Sequence, residues 1–109
     1  MITLEQVHQL YGRQVHGPDG DMIGTVAQVW DDGVGHPAWA GVRTSRFGFG
    51  KRLVPLHDAA LHDGRLVVPF TRALVLEAPR ISALDDDPLS RADVVRLNRH
   101  YRLPLLGRR

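Results

Sequence analysis

The spacing of apolar positions changes character twice along the chain, and each change predicts a different kind of element. At the start, Leu4, Val7 and Tyr11 recur at helical spacing. Thr3 can cap the first turn, Gln6 three residues later completes a capping box, and Gly12 stops the helix. From Arg13 to Val68 the apolar residues gather instead in short runs rich in Val, Ile and Trp. These runs, 13–16, 22–31, 37–44, 52–56 and 65–68, read as strands. Turn signals separate them at Pro18-Asp19-Gly20, Asp32-Gly33, Gly48 with Gly50, and Asp63-Gly64.

Past the strands the helical period returns. Thr71 can cap a short helix through Leu76, which Pro79 ends. After the acidic stretch Asp85-Asp86-Asp87-Pro88, Ser90 is placed as an N-cap with Asp93 three residues on. Leu89 and Val94 form the matching hydrophobic staple. The spacing predicts a helix over 92–101, ended by Pro104. Val94, Leu97 and Tyr101 form its apolar face. Arg91, Arg96, Arg99 and Arg102 fall within an arc of about 140° on another face, at roughly 100° per residue.

This order predicts an all-β fold: a small antiparallel barrel of five or six short strands, with short flanking helices and a C-terminal amphipathic helix. With 109 residues the chain has the length of one domain. Within it, residues 1–12 are the N-terminal helical segment, 13–70 the barrel strands and 71–109 a helical extension. Val26, Val29, Val42, Val54, Leu66 and Val68 are the expected core. Gly24, inside the longest strand, is the expected bulge or barrel corner.

Composition narrows the chemistry. The apolar fraction of 43% and charged fraction of 24% are ordinary for a globular protein. The absence of cysteine excludes disulfide scaffolds, iron–sulfur clusters, thiolate zinc sites and cysteine nucleophiles. No apolar run reaches the roughly 20 residues that span a bilayer. Met1-Ile2-Thr3-Leu4-Glu5-Gln6 has no basic stretch leading into an apolar one, so no signal peptide is expected and a cytoplasmic location is. The net charge of +2 conceals an uneven distribution. Residues 1–90 hold 8 basic and 11 acidic side chains, whereas residues 91–109 hold 6 basic and 1 acidic.

The candidate chemical groups have plainer structural accounts. No two of His8, His16, His36, His57, His62 and His100 have the spacing of a helical zinc site, and no metal or cofactor is expected. His57-Asp58 and His62-Asp63 read as turn chemistry. Ser45, Ser82 and Ser90 lack a nucleophile elbow, and Asp85–Asp87 lacks the spacing of a calcium loop. The glycines form no phosphate-binding fingerprint. Trp30 and Trp39, on successive strands of a hairpin, are expected to pack. No catalytic residue or small-molecule substrate emerges, so no enzymatic activity is expected.

Taken in order, the landmarks resemble the PRC-barrel domain, named for the cytoplasmic part of the photosynthetic reaction centre H subunit. They are Asp19-Gly20, Ile23-Gly24-x-Val26, Val29-Trp30-Asp31-Asp32, Gly35-x-Pro37-x-Trp39-Ala40, Phe47-Gly48, Leu53-Val54-Pro55-Leu56 and Val67-Val68-Pro69-Phe70. The ending, Val75-x-x-Ala78-Pro79-Arg80 and then Leu89-Ser90 to His100-Tyr101-x-Leu103, is similar to free-standing bacterial members. Arg102 stands where that pattern has glycine. The resemblance implies the barrel and little about activity, because such barrels serve diverse tasks. The leading expectation is a non-enzymatic protein-binding or scaffolding module, with a protein partner that includes a second copy in a homodimer. Arg91, Arg96, Arg99, Arg102 and Tyr101 are its candidate contact residues. The alternative is RNA or ribosome association, by analogy with the PRC-barrel half of a ribosome maturation factor. Support of reaction-centre electron transfer ranks behind both, given the lack of a membrane-spanning run.

Overall fold

The computed structural model describes residues 2–31, 36–44, 51–79 and 89–102. The capping box predicted at the N-terminus is present in both directions. The Thr3 hydroxyl accepts from the Gln6 amide at 3.3 Å, and the Gln6 side-chain oxygen accepts from the Thr3 amide at 2.9 Å. It opens a 3-10 turn, Leu4–Gln6, that runs into helix α1, Val7–Leu10. The helix ends one residue before Tyr11, whose backbone is extended, so Tyr11 leaves the apolar stripe and is exposed. Leu10 takes the buried place instead.

Six strands follow: β1 Gln14–His16, β2 Met22–Asp31, β3 Pro37–Arg43, β4 Lys51–Pro55, β5 Ala60–His62 and β6 Arg65–Val67. Then come α2, Arg72–Leu76, and α3, Arg91–Tyr101. The strands make one mostly antiparallel sheet in the order β4-β3-β2-β1-β6-β5. A simple meander would pair β4 with β5. Here the chain turns away after Leu56, whose carbonyl accepts from the Ala59 amide, and the β5–β6 hairpin docks at the far side of the sheet. That places β6 parallel to β1, the one parallel pair among the described strands. The hairpin is a tight Asp63-Gly64 turn with both residues at positive φ, 52° and 78°, which matches the right-handed strand twist.

The sheet bends at defined points. Against β1, the residue opposite Val15 is Gly24 and the one opposite His16 is Met22, so Ile23 is an extra residue in β2, and it is buried. Two further irregularities interrupt the β2–β3 register. Gly24 is obligatory here for a steric reason. A Cβ on it would collide with the Arg43 carbonyl oxygen and stand 2.8 Å from Val42 Cγ1. The expected bulge at this corner is therefore present, together with a close backbone approach between β2 and β3.

Five of the six expected core residues, Val26, Val42, Val54, Leu66 and Val68, are buried, and Val29 packs half-buried against them. The cluster draws in Ile2 and Leu10 from the N-terminus, Val75 from α2 and Leu97 from α3, so the sheet and the three described α-helices share one apolar core. Fully burying a side chain of this size contributes about 1.5–3 kcal/mol.

Replacing Gly24 by Ala is expected to destabilise the protein by about 1–3 kcal/mol, because backbone rather than a flexible side chain must yield. Urea denaturation of the two proteins checks this. An unchanged midpoint would mean that the β2–β3 approach is looser than the structure has it.

Candidate partner-binding surface on the C-terminal helix

Helix α3 starts as its sequence predicts. The Ser90 hydroxyl accepts from the Asp93 amide at 3.1 Å, and Asp93 lies in the first turn, where a carboxylate opposes the helix dipole. One face is sunk into the protein. Leu97 is fully buried, Tyr101 nearly so, and Val94 packs half-buried against the core.

Tyr101 fastens the helix to the sheet. Leu56 donates its amide to the Ala38 carbonyl, which makes that pair a hydrogen-bonded one in the β3–β4 ladder. Hydrogen-bonded and open pairs alternate, so Leu53, opposite Gly41, points its carbonyl away from β3. The Tyr101 hydroxyl donates to that carbonyl at 2.6 Å. The ring lies 4.8 Å from Phe70, tilted by 56°, and 4.9 Å from His100 in edge-on contact. His100 makes a second link: its Nε2 lies 2.6 Å from the Leu74 carbonyl, which can only accept, so this nitrogen carries the proton. Burial pushes the Tyr101 phenol well above the ordinary tyrosine range, against a smaller opposing pull from the Arg52 charge. Arg52 sits opposite Val42 on β4, and its Nε is buried without a hydrogen-bond partner among the described residues.

The structure thus divides the five candidate contact residues. Arg91, Arg96, Arg99 and Arg102 are exposed. Tyr101 differs from them: its ring is buried and its hydroxyl is committed to Leu53. Arg96 reaches back to Asp93 at 3.4 Å, a contact between a largely exposed guanidinium and a mostly covered carboxylate that contributes little stability. Arg102 caps the helix with φ 56° and ψ 41°, and its amide donates to the Asn98 and Arg99 carbonyls. This is the left-handed geometry that glycine adopts without strain. The helix therefore ends at Arg102, and Pro104 lies outside the described residues.

The other candidates have local partners. His16 bonds the Gly20 carbonyl and the Gln14 side chain, each at 3.0 Å. His57 and His62 stand 3.9 Å and 3.5 Å from the neighbouring Asp58 and Asp63, all exposed. Among the described residues no three His, Asp or Glu side chains converge as a metal site would require. Trp30 and Trp39 lie directly opposite each other, Trp39 buried and Trp30 packed over Gly41, where a Cβ would meet its ring at 2.9 Å. The Asp85–Asp87 run, Ser45 and Ser82 fall outside the described residues, and Ser90 serves as the cap. The anchoring roles of Leu53 and His100 have no local signal, since their contacts join residues 48 and 26 positions apart.

The family model for the PRC-barrel domain matches residues 3–75, from the capping Thr3 through all six strands into α2. The chain belongs to the PRC-barrel domain family. No curated protein matches it. Among solved structures it is similar to a Pseudomonas aeruginosa protein assigned as the 16S ribosomal RNA processing protein RimM. The two are 19% identical with a TM-score of 0.47, and the match covers 61% of this chain and 43% of that one. This PRC-barrel protein thus spans less than half of that relative's length. Helix α3 lies beyond the family match, so membership speaks for the barrel and not for the arginine face. Among the described residues no helix is long and apolar enough to cross a membrane.

Two outcomes follow from the anchor. Tyr101→Phe leaves the Leu53 carbonyl unpaired and is expected to cost about 1–3 kcal/mol. The phenol must stay protonated to donate, so its stabilisation is complete below the unfolded value of 10.0 and declines as pH rises above it. Denaturation midpoints measured from pH 8 to 11 should fall more steeply for the parent than for the Phe variant; parallel curves would mean that the hydroxyl is not held as described. At the cap, Arg102→Gly relieves left-handed strain and is expected to stabilise by about 0.5–1 kcal/mol. A thermal melt that moves downward would contradict the cap geometry.

Proposed function

We propose that this PRC-barrel protein is a non-enzymatic, cytoplasmic binding module that docks an acidic protein surface on the arginine face of α3. The observation that carries this reading is the mounting of that face. Leu97, Tyr101 and His100 hold the helix from beneath, while Arg91, Arg96, Arg99 and Arg102 stand in solvent. A fixed helix presents several guanidinium forks without having to order them on binding, which reduces the entropic cost of association. The partner's carboxylates supply the complementary charge, and the net-acidic residues 1–90 make a second copy of this chain one such partner.

RNA or ribosome association is the second reading, favoured by the 6 basic against 1 acidic side chains in residues 91–109. Base recognition weighs against it. Sequence-tolerant RNA binding uses exposed aromatic platforms, and among the described aromatic residues only Tyr11 is exposed.

The test uses the tagged full-length protein and the variant Arg96→Gln/Arg99→Gln/Arg102→Gln in parallel captures, with and without ribonuclease. The variant is expected to melt like the parent and to retain about tenfold less of the captured protein, with ribonuclease making no difference. Equal capture by the variant removes the arginine face as the site. Loss of capture after ribonuclease transfers the function to RNA, where affinity should also fall with salt at a log–log slope of about −0.7 per phosphate contact.

A further inference from the structure

A second basic feature lies on the barrel itself, inside the region that matches the family. The ends of β2 and β3 and the start of α2 enclose an open cleft of about 370 Å³. Met22, Thr25, Arg43, Thr44 and Arg72 line it above the Gly24 backbone. Thr25 and Arg43 are direct cross-strand partners, so the sheet register sets them side by side on one face. Arg72 enters from a separate element, α2.

The donor set is one-sided. Two arginines and two threonines line the cleft, and among the described residues no Asp or Glu does. Among the described residues the side chains of Arg43 and Arg72 have no ion-pair or hydrogen-bond partner. Arg96 on α3, by contrast, has Asp93. Two like charges sharing one concavity repel each other, and each exposed guanidinium presents a planar fork of N–H donors that solvent alone receives among the described residues. An acceptor-rich anion offsets the repulsion and takes both forks in charge-assisted hydrogen bonds. A metal ion or an amine would add a third positive charge and find no carboxylate among the described lining residues.

We propose that this cleft binds a phosphoryl oxyanion, with Arg43 and Arg72 contacting it from two sides and the Thr25 and Thr44 hydroxyls donating to its remaining oxygens. Phosphate fits better than carboxylate because donors on several elements match a group with three or more oxygens. The open mouth admits the phosphate of a small molecule or of a nucleic-acid strand. The site is independent of the α3 face, and its failure would leave the docking reading unaffected.

The experiment titrates the isotopically labelled full-length protein with inorganic phosphate, with pyrophosphate and with a short oligouridylate, at matched ionic strength, following backbone amide shifts. Saturable shifts confined to Thr25, Arg43, Thr44 and Arg72 are expected. Arg43→Gln and Arg72→Gln should each weaken binding by about tenfold or more. Arg43→Lys should recover only part of the affinity, because it restores the charge without the fork. Arg96→Gln should bind like the parent. Saturation by phosphate or pyrophosphate identifies a phosphorylated small molecule as the source, and saturation by the oligouridylate alone identifies a nucleic-acid backbone. Shifts absent with all three ligands, or spread in proportion to concentration over α3 as well, overturn the site. Unchanged amide spectra of the free Gln variants separate lost binding from lost fold.

Discussion

The hydrogen bond from the Tyr101 hydroxyl to the Leu53 carbonyl joins the two halves of this molecule. Leu53 lies on an edge strand, with its carbonyl aimed away from the sheet, where it needs an acceptor's partner or water. The aromatic ring that brings the hydroxyl there also excludes water, so the bond forms where leaving it unmade is costly. Phe70 and His100 pack on the same ring, and His100 continues to the Leu74 carbonyl of α2. One aromatic residue thereby ties α3, α2 and β4 together. The direction in which the α3 arginines point follows from that junction.

The two sheet edges are closed by different means, and this bears on how the protein can associate. β4 carries Lys51 and Arg52, ends in Pro55 and has an outward carbonyl occupied by Tyr101. β5 is only three residues long. Short edges, charged edges and proline all discourage strand addition. Strand addition is thus disfavoured at both edges of the described sheet, and the two basic features lie on side-chain surfaces instead.

What could be read in the sequence was what local chemistry decides. The caps at Thr3, Thr71 and Ser90 formed as their spacing implied, because a side-chain oxygen and an amide a few residues later need no distant partner. The long strands β2 and β3 carried enough β-branched and aromatic residues to be found. β5 did not, since Ala60-Leu61-His62 is too short to show alternation. The parallel β1–β6 pairing was invisible for another reason: sequence punctuation marks where strands end and says nothing about which edge a hairpin will reach. Tyr101 lies on the apolar face as its spacing implied, but its bond to Leu53 was not legible, because periodicity assigns a face and not the target of a hydroxyl. The Arg43–Arg72 cleft depends on strand register and helix docking together, and neither arginine belongs to a local pattern.

The α3 arginines differ in how far stability explains them. Arg99 lies in the last turn, where a positive charge is favoured by the helix dipole, and Arg96 has Asp93 within reach. Those two have structural accounts. Arg91 occupies the first turn, the end at which the dipole opposes a cation by about 0.3–1 kcal/mol. Arg102 holds a left-handed conformation that costs a side-chain-bearing residue about 1–2 kcal/mol. Both would be better replaced if the helix had only to be stable. The arginines that work against the helix therefore stand at its two ends, and helix stability accounts for neither.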